Sequence, residues 1–433
     1  MILPPKSVQF VVVSLVMLVP SMALSDANDW PNWRGPSQTG SKADGDYPSV
    51  LDASTLVWKT PLPGRGCSTP IVLDKHIYVT MPVDDQDALV ALDWTGKILW
   101  QRVLGREVAG KHRNGSGSNA SPTTDGSAIF CFFKSGTLAA IELDGTIRWQ
   151  TNMVERFGPD TLFWDHGTSP VLTSEHVVMT RMHKGESWLA AFDKVSGKLA
   201  WKVARNYKVK IENDHGYATP LVISREGEEA LLLWGAERIT IHSAKDGNMI
   251  WSCGGFNPDQ NKLWPAIATP SIVGDIALVA YGRNDKGSPL LYGVDLRGKG
   301  DGSPSFKWKR TDVSTFVPTP VAYQDSFYMV GDQGKVNRLN PSTGESIWSG
   351  AFAKSRKKFY ASPLVAGGKI YAPREDGTVF VAQEKDGKLE TLSENELGES
   401  VIGSPVPSAN RILIRGEKHL FCYSNEAQSN ETR

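Results

Sequence analysis

Two short stretches put an acid beside an imidazole: residues 164–167 read WDHG and residues 213–216 read NDHG. Such a pair can act as a general acid and base or supply metal ligands, because imidazole titrates near neutral pH and a carboxylate orients it. Asp165, His166, Asp214 and His215 are therefore the candidate catalytic residues. The competing reading is a pair of repeated turns, in which each Asp caps a loop amide beside a hydrogen-bonded His. Arg113, Asn114 and Asn119 stand in a long polar stretch upstream, and Trp264 stands in a matching stretch downstream. With Arg283 and Arg374, each next to a polar or acidic neighbour, they offer polar groups and one aromatic wall. Arg113, Asn119, Trp264, Arg283 and Arg374 form the candidate binding set, against the commoner explanation of scattered surface charge.

Other chemistry is excluded by motif. The chain has no H-E-x-x-H and no G-x-S-x-G elbow. Cys67, Cys131, Cys253 and Cys422 are scattered, with no C-x-x-C, so no zinc or redox site is expected; one or two disulfides remain open, against buried small side chains. The NGSGSN run at 114–119 lacks the strand–helix frame of a phosphate loop. GKGDGS at 298–303 is out of register for a calcium loop and reads as an enlarged hairpin turn.

The elements that must position these residues come from a repeat. A hydroxyl residue followed by Pro opens an apolar strand eight times, from Thr69-Pro70 to Ser404-Pro405, with the prolines 52, 48, 50, 50, 50, 43 and 42 residues apart. Proline is tolerated at a strand's first residue, where its missing N–H breaks no ladder bond. Later in each unit comes a hairpin such as ALDWTGKILW (91–100), AIELDGTIRW (140–149) or AFDKVSGKLAW (191–201). Glycine supplies the turn, and the alternating apolar positions predict two half-buried strands. Four strands per unit of about 48 residues is the anatomy of a propeller blade. The eighth unit lacks an outer strand, whereas TLVWKT (55–60) is an outer strand with no anchor before it. Placing Trp58 in the last blade closes the ring, and the fold class expected is an all-β, eight-bladed β-propeller.

The 433 residues carry 47 basic and 47 acidic side chains, which argues against a nucleic-acid partner. Lys6, the apolar run 10–19, Pro20 and Ala23-Leu24-Ser25 read as a signal peptide over 1–25, too short to span a membrane; an uncleaved anchor is the alternative. No Cys follows closely enough for a bacterial lipid anchor. The expected layout is a signal peptide at 1–25, an arm at 26–54 packed by Trp30 and Trp33, the propeller at 55–425 and a polar tail at 426–433. A periplasmic or extracellular monomer with no membrane span is expected.

Turn-Gly-x-x-x-Trp at the end of each unit resembles the tryptophan-docking motif of the pyrroloquinoline quinone (PQQ) repeat family, which includes quinoprotein alcohol dehydrogenases and BamB. Trp100, Trp149, Trp201, Trp251, Trp308 and Trp348 match it in order, with Trp58 closing; the seventh unit, EKDGKLETL (384–392), has no Trp. The resemblance implies docking tryptophans wedged between blades, each giving its indole N–H to a carbonyl. The dehydrogenases are marked by adjacent cysteines, absent here, and no match to their calcium ligands or catalytic Asp is found. BamB relatives bind partners and no cofactor, so no cofactor is expected, with PQQ and calcium as the alternative.

Strand direction sorts the loops. Connections before anchors two to five (residues 101–120, 150–168, 202–218 and 252–268) are long and share a face, opposite the Asp…Gly turns. Long loops on a rigid scaffold gather binding residues. The expected function is an exported, non-enzymatic binding or scaffold propeller with a protein partner at this face; the alternative is a PQQ-dependent dehydrogenase or divergent enzyme using Asp165, His166, Asp214 and His215.

Overall fold

The chain alternates short apolar strands with tight turns, and in the computed structural model, which describes residues 28–426, these strands form eight sheets. The proposed signal peptide and residues 427–433 of the tail lie outside the described residues. Blade one shows the pattern: Ile71–Leu73, His76–Val83, Gln86–Leu92 and Ile98–Arg106 run antiparallel from the axis outward. The molecule is an all-β, eight-bladed propeller with almost no helix. One short helix, Met153–Phe157, starts on Asn152, whose side chain accepts from Val154 and Glu155 N–H.

The sequence pattern predicted two half-buried strands per hairpin, and the structure corrects this. The third strands are buried almost throughout, as in Thr137–Glu142 and Trp188–Asp193, and only the fourth alternate, as in Ile98–Arg106. Blades pack face to face, so a middle strand is covered on both sides. Ile71, Leu89, Ile129 and Ile141 fill one junction, and Val178, Leu189, Leu231 and Leu233 another. Two blades also gain a fifth strand. Asp301–Gly302, within the 298–303 turn, adds in parallel to Met249–Cys253 of blade four, and Ser41–Lys42 adds in parallel to Leu364–Ala366 of blade seven.

Outer strands lock each blade to the next. The pairing skips one residue ahead of each Trp: Val57, Leu99, Arg148, Ala200, Ile250, Lys307 and Ile347 are the bulges. A bulge twists the strand and re-aims the next side chain. It explains why Leu99, Ile250 and Ile347 face solvent. Trp58, Trp100, Trp149, Trp201, Trp251 and Trp308 donate Nε1–H to carbonyls of Trp94, Leu143, Lys194, Ala244, Gly298 and Pro341, at 2.7–3.3 Å. Trp348 differs, donating to the Glu384 carboxylate at 2.7 Å. Apart from Trp348, each indole lies on a turn glycine of the following blade. At Gly197, φ is 67° and a Cβ would sit 2.5 Å from Trp149, so the turn and the tryptophan both demand glycine. Strand Leu56–Pro61 pairs antiparallel with His419–Ser424, joining the ends of the chain in blade eight.

The hydroxyl–Pro anchors form a second lock at the axis. Backbone N–H of Thr69 donates to Ser121 Oγ, Ser121 to Ser169, Ser169 to Thr219, and so on through Thr269, Thr319 and Ser362; Ser404 N–H donates to Thr69 Oγ1. Seven of the eight junctions are stitched this way at 2.9–3.1 Å. At Ser404 the hydroxyl accepts from Trp33 Nε1 at 3.2 Å.

Trp33 belongs to an arm that crosses the channel on the Asp…Gly side. Trp30 bridges Val72, Pro31 O accepts from Thr124, Gln38 exchanges two bonds with Val222, and Gly40 O accepts from Val365. Between them Arg34, 4% exposed, donates to Pro363 O at 2.9 Å and Pro320 O at 3.3 Å. Burial pulls its guanidinium down to about 9, so it remains cationic at neutral pH. The arm thereby ties non-adjacent blades together and floors the channel.

Candidate functional site

Above that floor lies a cavity of about 430 Å³, opening on the long-loop side. Its base is Trp33 and the hydroxyls of seven anchors; its sides are Trp164, Tyr217, Phe316 and Tyr360; its charged lining residues are Asp165, Glu212, Arg283, Asp332 and Lys358. Trp33 also lines a smaller cavity of about 260 Å³ beneath, shared with Arg34 and Gln38, so its side chain is the partition.

Of the sequence candidates, Asp165, Asn114, Asn119 and Arg283 line the cavity. Asp165 is buried, and its oxygens accept from Lys111 N–H (2.8 and 2.9 Å), His112 N–H (3.2 Å) and Lys134 Nζ (2.6 Å). Burial raises its pKa, but the Lys134 ammonium and these N–H groups outweigh that and hold the carboxyl below its usual range. From the second long loop it clasps the first, residues 101–120. That loop then crosses the mouth: Arg113 (3.2 Å) and Asn114 (2.8 Å) reach Glu375 on blade seven. Asn119 Oδ1 accepts from Ser116 N–H within the loop. Arg283 donates to Leu263 O at 3.2 Å and lies over Phe316.

The other candidates stand back from the cavity. His166 is buried against the Phe132 ring, and burial pulls it down to about 4, so it is neutral. His215 Nδ1 accepts from Phe163 N–H at 3.4 Å, and its Nε2 lies 3.8 Å from Asp214. Trp264 is buried edge-on to Tyr281. Arg374 pairs with Asp376 at 2.9 Å and donates to Thr378 Oγ1 at 2.8 Å. The two DHG motifs thus hold loops: beside the second, Asn213 Oδ1 accepts from Trp264 N–H, and its Nδ2 donates to Glu237 and Asn261 O.

Sequence reasoning missed what these clasps display. Phe163 (63% exposed), Trp164, Ile211 and Leu263 (43% exposed) stand at the tips of three successive long loops. They are tied together. Phe163 and Trp164 meet edge to face at 4.8 Å, Trp164 N–H donates to Tyr217 Oη at 3.1 Å, and Leu263 N–H donates to Ile211 O at 3.0 Å. Leu263 has φ of 63°, a left-handed conformation that is an outlier for a bulky residue and stores strain. The signal was present in the bare pairs Phe163-Trp164 and Lys262-Leu263, apolar tips inside polar loops. Lys358, too, ends an openly basic run, KSRKK at 354–358.

This fold and its docking tryptophans define a PQQ-like propeller. The family model described as outer membrane protein assembly factor BamB matches residues 49–251, 161–349 and 305–390, and the chain belongs to that family. No curated protein matches it. Among solved structures it is similar to BamB from Moraxella catarrhalis (17% identity, 86% of this chain and 97% of that one, TM-score 0.59). It also resembles quinohemoprotein alcohol dehydrogenase from Comamonas testosteroni (12% identity, 92% and 80%, TM-score 0.67) and a europium-containing methanol dehydrogenase (12% identity, 91% and 91%, TM-score 0.70). At these identities the likeness is one of fold.

The quinone and calcium implied by the dehydrogenase side of the fold do not fit this lining. The four cysteines are free thiols, and none adjoins another. Asp165 is taken up as above, and the Asp332 oxygens accept from Phe316 N–H (2.7 Å) and Val317 N–H (3.0 Å). That leaves Glu212 as the lining carboxylate to meet a divalent cation that takes several oxygen ligands.

Proposed function

We propose that the chain is an exported binding protein that presents its long-loop face to a protein partner, with the crest of Phe163, Trp164, Ile211 and Leu263 as the contact. The supporting observation is Leu263: a bulky apolar side chain held in a strained left-handed backbone and turned toward solvent. Folding alone would select Gly or Asn there. Exposed apolar groups in one tied cluster mark interaction surfaces, whereas those on the outer strands are scattered singly, Val57, Leu99, Ile250 and Ile347 among them at bulges. The one-sided loops, the BamB-like family and the leader-like residues 1–25 agree with this reading. The candidate dyads serve as loop clasps rather than catalysts, and the protein acts as a monomer.

The experiment uses the exported protein in its own cell envelope. Phe163→Ser with Leu263→Gly is expected to abolish co-purification of partner while leaving the melting temperature unchanged. Retained partner in that variant refutes the crest. The enzyme reading is tested by adding PQQ with calcium and an alcohol; dye-linked oxidation would replace the binding reading.

A further inference from the structure

The cavity over Trp33 has a polarity that the crest does not use. Six of the seven lining hydroxyls already accept an N–H from the neighbouring anchor, and Ser404 accepts from Trp33. With a lone pair taken, each hydroxyl is biased to offer the cavity its proton.

Positive charge lies behind these donors. Arg34 sits under the floor, against the Trp33 ring at 5.7 Å. Behind the wall residue Cys67, Arg415 is 1% exposed and donates to Ser68 O (3.1 Å) and Thr80 O (2.8 Å). Among the described residues neither guanidinium has a carboxylate partner, and Arg415 Nε and Nη2 are buried without an acceptor. Burial lowers both, to about 9 and about 10, so both stay charged at neutral pH. Uncompensated charge under a low-dielectric wall raises the potential inside a cleft. Lys358 and Arg283 add to it from the sides; of the lining carboxylates, Asp165 and Asp332 are already satisfied, and Glu212 alone opposes it.

We propose that this cavity binds a small organic carboxylate, with the ligand's flat face on Trp33 and its charge toward Lys358. No metal is required. The volume lies in the usual range for small-molecule sites, with aromatic walls and a few convergent donors. The shared chemistry is one carboxylate on a compact body, and that body could be an aromatic ring, a short aliphatic chain or a sugar ring.

Isothermal titration of the mature chain tests this with benzoate, acetate and galacturonate, each against its neutral counterpart benzamide, acetamide or galactose. At least one acid is expected to bind about tenfold or more tightly than its neutral counterpart, and the best pair identifies the body. Lys358→Gln should lose about tenfold in affinity for that acid, with Lys358→Arg restoring most of it. Trp33→Phe should weaken a ring-bearing acid more than acetate. Binding of acid and neutral form with equal affinity, unchanged affinity in Lys358→Gln, or no heat from any acid would each overturn the proposal. Acid binding without a protein partner would retire the crest reading and leave this one standing; a partner at the crest without acid binding would do the reverse.

Discussion

At the rim carrying Gly96, Gly145 and Gly197, six of the eight junctions are built alike, with a bulge, a docked indole and a glycine beneath it; Trp348 docks on Glu384 instead, and the seventh blade carries no Trp. At the opposite rim the loops share little beyond the Asp-His-Gly of the second and third, and polar side chains such as Asp165 and Asn213 hold loop tips in place. One rim is a repeated lock and the other a display. Burial and repetition mark what the fold needs. Exposed apolar groups in strained backbone mark what the fold alone would not choose.

The comparison is broken most severely at the ring closure. Deleting residues 26–60 removes strand Leu56–Pro61 and the arm, and the expected product is unfolded and aggregated; a folded, soluble truncation would contradict the closure. Next come single locks. Trp251→Ala, the most buried docking position, should cost about 3–5 kcal/mol in chemical denaturation. Gly300→Ala should approach it, since φ is 68° and a Cβ would lie 1.9 Å from Trp251. Phe163→Ser, on the display rim, should stay within about 0.5 kcal/mol of the parent. Equal costs on both rims would erase the distinction.

Titration sharpens it further. Burial, with Glu107 nearby, pushes the fully buried Asp87 carboxyl up to about 7. A raised acid pKa favours the protonated folded state, so this contribution is present at low pH and is lost as pH rises from about 3.8 through 7. Asp87→Asn, always neutral, should gain on the parent across that window, by up to about 4 kcal/mol above it. His166 slopes the other way: its depressed pKa favours the neutral folded form, so stability falls as pH drops from 6.5 through about 4. His166→Gln should flatten that acid limb in melting scans. The smallest stability effect belongs to Leu263→Gly, which relieves the left-handed strain and should leave the melting temperature level or raised while partner binding drops.

What was legible in the sequence follows the same division. Thr69-Pro70 through Ser404-Pro405 and the Gly-x-x-x-Trp endings recur because each blade solves one packing problem, so their period announces an eight-bladed propeller. The reason for the hydroxyls was hidden, since Ser121 Oγ serves Thr69 N–H on another blade. Asp165 stood out as a candidate, but its work depends on Lys111 and Lys134, 54 and 31 residues away, and no local pattern encodes that meeting. Arg34 and Trp33 read as an ordered arm, and their place beneath the anchors of blades six to eight could not be inferred from an aperiodic segment.

The central claim, that one rim binds and the other holds, is tested most directly by photocrosslinking in cells. A photoreactive phenylalanine analogue is placed at position 163, 211 or 263, and, as the control, at 195, an equally accessible apolar site (Val195, 72% exposed) on an Asp…Gly turn of the opposite rim. The account expects one discrete protein adduct from the three crest positions and none from 195. Adducts from 195 alone, or none from the crest, would contradict it.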